Sequence, residues 1–165
     1  GGVGNTTIVK AVFNSIGRKF EGSCFLDVGS NLIPHLQETL LFDLGDSNLK
    51  VSNIDIGVGL IKKMMQHKKV LLILDDVSHS NQLDKLAPSS DCFGPGSRII
   101  ITTRDKSWLT THQVDSIYEV QMLDDDQALE LFRWNAFKCK GPPDGYLKLA
   151  QRAVLYAQGL PLALI

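Results

Sequence analysis

The sequence predicts a doubly wound α/β domain built on a parallel sheet, followed by a small helical subdomain that is incomplete. Three observations carry that prediction. Two short apolar runs without alternation, Val70–Leu74 and Arg98–Thr103, suit strands covered on both faces, as parallel strands are. Stretches with helical spacing of apolar residues precede and separate them, and alternating strand and helix implies a sheet with ligands beyond its carboxyl ends. After Val120 only helical periodicity remains.

In chain order, Gly1-Gly2-Val3-Gly4-Asn5-Thr6-Thr7 is a glycine-rich turn that leads into a helix over Thr6–Ile16, where Ile8, Val12 and Ile16 recur every four residues. Ser23–Val28 is a weaker strand candidate. A helix over Leu32–Leu44 sets Leu36, Leu40 and Leu44 on one side, with Ile33 and Leu41 nearby, and Ile54, Val58, Ile61 and Met65 share a face of the next. The Val70–Leu74 strand ends in Asp75-Asp76. The turn Gly94-Pro95-Gly96-Ser97 introduces the β-branched strand Arg98–Thr103, and Ile117–Val120 is a second weak strand candidate. Asp124-Asp125-Asp126 offers an N-cap and an acidic first turn to a helix continued by Ala128, Leu131, Phe132, Asn135 and Ala136. A Gly141-Pro142-Pro143 break separates it from a last helix over about Tyr146–Gln158. The boundary between the two parts is placed near residue 122, giving 1–122 and 123–165.

Length and composition narrow the function classes. The 165 residues suit one domain with a substantial core. With 44% hydrophobic and 21% charged residues the chain reads as globular, and a net charge of -1 gives no general pull toward nucleic acid or anionic membrane. No apolar run approaches the roughly 18 residues of a membrane span. Cys24, Cys92 and Cys139 are odd in number and far apart, and His35, His67, His79 and His112 are equally dispersed, which fits reduced thiols better than a disulfide frame or a zinc site. The chain opens without Met inside a glycine loop and ends apolar at Gly159-Leu160-Pro161-Leu162-Ala163-Leu164-Ile165, so we expect a piece of a longer polypeptide.

Three places could carry chemistry. Gly1–Thr7 resembles the tail of a phosphate-binding P-loop: glycines let successive N–H groups face one anion, and the following helix adds its positive dipole end. Its lysine position holds Asn5, and a bland glycine turn before a helix is the competing reading. Val70–Asp76 resembles a Walker B strand, which would deliver Asp75 to a Mg²⁺ ion and Asp76 to an attacking water; the alternative is a strand ending in a polar turn. Arg104 follows the second strand and could meet a terminal phosphate, or be a surface arginine. Thr102 and Thr103 are polar at a strand end, which agrees with a site or with an edge. Trp108, Trp134 and Phe137 are read as core or inter-subdomain packing, and Asp124–Asp126 as a helix start.

The order of these motifs is recognisable. Gly-Gly-Val-Gly-x-Thr-Thr, Val-Leu-Leu-Ile-Leu-Asp-Asp-Val, Gly-Ser-Arg-Ile-Ile-Ile-Thr-Thr-Arg-Asp and Gly-Leu-Pro-Leu-Ala-Leu together resemble the NB-ARC module of plant nucleotide-binding, leucine-rich-repeat immune receptors, across essentially all of the chain. The resemblance implies a P-loop NTPase-type sheet with the start of the helical ARC subdomain, and a STAND-class switch held off by ADP and released by exchange for ATP. It implies nucleotide contacts from Gly2, Val3, Gly4, Asn5, Thr6 and Thr7, Mg²⁺ at Thr6 and Asp75, and hydrolysis served by Asp76. Arg104 would be the sensor arginine and Pro161 would pack near the adenine, while Tyr118–Lys138 is similar to the family's segment that links sheet to helices.

The implied partners are the other domains of the same receptor: an N-terminal TIR or coiled-coil domain, C-terminal leucine-rich repeats, and further copies when activated. Direct nucleic-acid or membrane contact is not implied. The implied compartment is the cytoplasm, with the nucleus as a second. Phe25-Leu26-Asp27-Val28, His35-Leu36-Gln37 and the absence of Trp after Leu-Asp-Asp-Val favour the TIR subclass, although Ser78 stands where that subclass usually has Asp. Asn5 departs from the pattern, because it cannot bring positive charge to the phosphates. It implies weakened ADP or ATP binding and at most a slow ATPase. The competing readings are a P-loop enzyme of another branch, and a nucleotide-independent interaction module or pseudogene-derived fragment.

Overall fold

The computed structural model describes residues 2–45, 49–137 and 145–165, which divide into two compact units. Thr6–Ile117 forms one; the amino-terminal residues through Asn5 join Tyr118–Ile165 in the other. The expected Gly141-Pro142-Pro143 break and Cys139 lie outside the described residues.

The larger unit is an α/β layer structure. Strands β1 (Gly22–Asp27), β2 (Val70–Val77) and β3 (Arg98–Thr103) make a parallel sheet in the order β1-β2-β3, with Gly22 opposite Val70 and Leu72 opposite Ile99. The central strand separates two hydrophobic layers by its period of two. Leu72 and Leu74 face Leu36, Leu40, Leu41, Leu44, Ile61 and Met65 of α2 (Ile33–Gly45) and α3 (Ile54–Met65). Leu71 and Ile73 face Val9, Phe13 and Ile16 of α1 (Asn5–Ile16). Every residue from Val70 to Leu74 is fully buried, as an unbroken apolar run requires. β2 runs on past the expected end at Leu74 to Val77, and β1 is shifted by one residue from the Ser23–Val28 expected.

Two expectations are corrected. On α1 the row that packs on the sheet is Val9, which is buried, with Phe13 and Ile16 partly buried, and Ile8 is exposed. The Phe13 ring meets Phe25 edge-on at 5.7 Å, and this aromatic contact sets the rotation of the helix about its axis. Ile117–Val120 forms no strand: Ile117 and Tyr118 lie exposed, without a ladder to pair their backbone.

The helices over one face are tied by a buried amide. Gln37 of α2 donates from Nε2 to Ile54 O at 3.0 Å and to Lys85 O at 2.9 Å, joining α3 and α4 (Ser80–Leu86). Gly57 leaves room for it, since a Cβ there would stand 2.1 Å from Gln37 Oε1. At the opposite end Lys68 donates to Leu44 O at 2.9 Å, putting a cation on the negative dipole end of α2.

The smaller unit consists of α6 (Asp125–Phe137), α7 (Leu147–Ala157) and a 3₁₀ turn over Pro161–Leu164, around Ala128, Val154, Ala157 and Leu164. Asp124 starts α6 as expected: Gln127 N–H donates to Asp124 Oδ1 at 2.8 Å and Asp124 N–H donates to Gln127 Oε1 at 3.2 Å, a reciprocal cap. Of the aromatic residues expected to pack, Trp108 of α5 (Lys106–Thr111) joins the core of the larger unit, but Trp134 is 68% exposed. Trp134 is a correction: α6 buries the face bearing Ala128 and Phe132, and Trp134 lies off it.

Gly159 closes this unit. Its φ is +72°, and a Cβ would sit 2.2 Å from Leu123 O, while Leu123 N–H donates to Gly159 O at 2.9 Å. Gly159→Ala is therefore expected to lower stability by about 1–3 kcal/mol, from left-handed strain and displaced backbone. Denaturant unfolding measures this, and an unchanged midpoint with intact protection of the Leu123 amide would refute it.

Candidate functional site

The larger unit gathers its polar chemistry where β2 and β3 end. Between Leu74 and Val77 the β2–β3 register slips, so that Asp75 and Asp76 stand against Thr102 alone. Such a bulge re-aims side chains and leaves a backbone group to be satisfied. Thr102 satisfies it from both sides: its Oγ1 accepts from Asp76 N–H at 2.8 Å and donates to Asp75 Oδ1 at 2.5 Å. Asp76 takes φ +55°, a left-handed conformation that Asp tolerates better than most residues.

The bulge gives two adjacent carboxylates opposite environments. Asp75 is 3% exposed and held by a hydroxyl; the Asp76 side chain is 48% exposed, with Arg104 Nε 3.6 Å from its Oδ1. The Arg104 side chain is 74% exposed, so the pair contributes little to stability, on the order of 0–1 kcal/mol. Thr103 Oγ1 donates to Val77 O at 2.9 Å and fixes the strand end from which Arg104 emerges. Asp105 then caps α5, its Oδ1 accepting from Ser107 N–H at 2.9 Å, and the Ser107 hydroxyl and N–H hold its carboxyl below the usual carboxylate range.

The amino end of α1 faces this same edge. α1 leads through the turn Gly17–Lys19 to Glu21, whose N–H donates to Lys69 O at 2.8 Å beside the start of β1 and β2. The helix therefore runs antiparallel to the strands, with Lys10 Nζ 5.8 Å from the Phe25 ring centroid part-way along. Thr6 and Thr7, one turn further, are exposed in a first turn that carries no acidic residue. A positive dipole end free of carboxylates suits an anion.

In the smaller unit Gly2 and Gly4 have φ of +90° and +99°, conformations open to glycine. Leu162 N–H donates to Gly2 O at 3.2 Å, and a Cβ on Gly2 would stand 2.8 Å from Leu162 Cβ. Pro161 opens the 3₁₀ turn that presents Leu162, so the glycine turn and the Gly-Leu-Pro-Leu segment meet although they lie at opposite ends of the sequence. A Cβ on Gly4 would meet nothing within 4 Å. Val3 is half-buried, and Asn5 holds its Oδ1 buried without a hydrogen-bond partner.

Thus Asp75, Asp76 and Arg104 come together as one group, and Gly2 comes together with the turn that begins at Pro161 as another. Sequence reasoning left the Thr102 hydroxyl undecided, and it is the residue that joins the two aspartates. It missed Gln82, whose signal is the three-residue spacing from His79 at a helix start: His79 N–H donates to Gln82 Oε1 at 3.0 Å.

Residues 1–141 match the model of the NB-ARC domain. The chain is similar to disease resistance protein RPV1 of Vitis rotundifolia, 41% identical over 99% of this chain and 12% of that protein. It is 41% identical to TMV resistance protein N of Nicotiana glutinosa, over 99% of this chain and 15% of that protein. Disease resistance protein RPS6 of Arabidopsis thaliana is 37% identical over 99% of this chain and 16% of its own length. The chain therefore spans under a fifth of these relatives.

The left-handed backbone at Asp76 separates charge from conformation. Asp76→Asn is expected to leave stability within about 0.5 kcal/mol, whereas Asp76→Val should cost about 1–2 kcal/mol, because a β-branched residue resists φ +55°. Chemical denaturation of both variants checks this; equal losses would remove the conformational account.

Proposed function

The chain belongs to the NB-ARC domain family, and from that premise we propose that it is the ADP- and ATP-binding switch of an intracellular plant immune receptor. The observation that carries the reading is the bulge at the end of β2, which buries one carboxylate and presents the next beside an arginine. Taken one by one, the features present are of the kinds that a polyphosphate with Mg²⁺ uses: glycines at positive φ in the smaller unit, and in the larger an acid-free helix amino end and a buried aspartate with a hydroxyl donor. Among the described residues no three His, Cys, Asp or Glu side chains form a metal cluster, so a cation would complete its shell with phosphate and water, as Mg²⁺ does.

In this reading the backbone N–H groups of Gly2, Val3 and Gly4 hold phosphate, with Asn5, Thr6 and Thr7 at the start of α1. Asp75 and Thr6 would hold Mg²⁺, which when bound neutralises charge on the transferred phosphoryl group. Asp76 orients the attacking water. Arg104 reports the terminal phosphate, since a guanidinium exposed at the strand end is free to re-pair from Asp76 to an oxyanion. Pro161 packs near the adenine. The α/β part ends near residue 122 and the helical ARC subdomain starts at 123. The receptor carries a TIR domain and leucine-rich repeats, works in the cytoplasm or nucleus, and self-associates when ATP replaces ADP.

Asn5 supports a specific limit on this switch. Asparagine is neutral and shorter than lysine. Losing a charge-assisted hydrogen bond of about 1.5–3 kcal/mol weakens nucleotide binding about 10- to 100-fold. The buried Asn5 Oδ1 without a partner agrees with a position that a donor-rich cation would suit better. The same observation favours a second reading, an interaction module independent of nucleotide, and one experiment separates them. Calorimetric titration of ADP is expected to show Asn5→Lys binding about 10- to 100-fold tighter than Asn5, with the residues preceding Gly1 present. Equal affinities would refute the role of Asn5. Partner binding unaffected by nucleotide in either protein would favour the interaction module.

A further inference from the structure

The turn that follows β1 is held beside the acidic pair by two side chains, Ser78 just ahead of α4 and Gln82 within it. Val28 N–H donates to Asp75 O at 2.8 Å, Asn31 N–H donates to Val28 O at 2.9 Å, and Gly29 between them has φ +31°. The Gly29 carbonyl accepts from Ser78 Oγ and from Gln82 Nε2, both at 3.0 Å. A Cβ on Gly29 would stand 3.4 Å from Asp27 Oδ1 and 4.0 Å from Asp76 Oδ2. The turn thus lies on the side of one Asp76 oxygen, within reach of a single added methyl group, while Arg104 approaches the other.

Gln82 is 6% exposed, and its two ends do different work. Oε1 accepts from Ser78 N–H at 2.9 Å and His79 N–H at 3.0 Å, which satisfies the start of α4 locally. That capping role uses only the carbonyl. The Nε2 donor reaches 53 residues back along the chain to Gly29, a bond that helix capping does not need. Ser78 adds a second long-range donor to the same oxygen, and an aspartate at 78 would present an acceptor there instead.

We infer that Gln82, assisted by Ser78, is a positioning residue for Asp76: the two donors clamp the Gly29 turn and so limit where the Asp76 carboxylate stands. The inference rests on the hydrolytic role proposed for Asp76. Loss of the clamp lets the turn move away from Asp76, widening the range of carboxylate positions without removing any proposed nucleotide contact. The consequence falls on turnover, not on ground-state binding.

Gln82→Glu tests this, because glutamate keeps the acceptor for Ser78 and His79 and removes the donor to Gly29. Amide exchange at Asn31 is expected to quicken about tenfold, the equivalent of one net hydrogen bond. In an Asn5→Lys background, single-turnover ATP hydrolysis should fall about 10- to 100-fold, as a small misplacement of a reacting group produces, with ADP affinity within about threefold. Ser78→Ala, which leaves one donor in place, should give a smaller effect in the same direction. In an Asp76→Asn chain, Gln82→Glu should slow residual hydrolysis no further. Unchanged Asn31 exchange, unchanged turnover with a freed turn, or an equal loss in the Asp76→Asn chain would each overturn the inference. Should the Asn5→Lys chain bind no nucleotide, the proposed function fails on its own account. Asn31 exchange together with the Asp76 amide resonance then decides whether the clamp acts on Asp76.

Discussion

A single threonine hydroxyl holds the end of β2 together. A parallel strand buried on both faces can bring a carboxylate to its tip only if the carboxylate finds a donor there, because an ionised group out of water without partners is strongly disfavoured. Thr102 is that donor for Asp75, and the same oxygen accepts the N–H that the bulge leaves unpaired at Asp76. One side chain therefore resolves the desolvation of Asp75, the broken ladder and the left-handed turn at Asp76. The exposure of Asp76 beside Arg104 follows from that geometry, as does the position of the Gly29 turn, since Asp75 O anchors Val28 N–H.

The smaller unit depends on a constraint of another kind, the close approach of backbones. Leu123 and Gly159 exchange a hydrogen bond at a separation that leaves no room for a Cβ, and Leu162 packs where a Cβ on Gly2 would be. Both contacts need glycine for reasons that have nothing to do with flexibility. They make the Gly-Leu-Pro-Leu segment a structural partner of the amino-terminal turn within that unit. The segment at one end of the chain thus bears on the glycine turn at the other.

Charge at the carboxyl edge of the sheet is answered unevenly. Asp75 and Asp76 bring negative charge to the strand end, and Arg104 answers it only from solvent. The amino-terminal turn, which ends at Asn5, carries no side-chain cation.

Amphipathic and apolar patterning by itself determined the three strands, the faces of α2 and α3, and the cap of α6, because burial on a period of two or 3.6 is written locally. The paired aspartates at a strand end, and the arginine after the next strand, were legible for the same reason. Tertiary structure alone decided the rest. It chose Val9 over Ile8 for the row of α1 that packs on the sheet, where Phe13 meets edge-on a ring brought close by β1. It left Ile117–Val120 without a strand and Trp134 exposed. It gave Thr102, Gln82 and Leu162 their roles through contacts across 27, 53 and 160 positions of sequence. Hydrogen bonds and steric limits between residues so far apart leave no local signature, since each residue type there is ordinary until its partner is known.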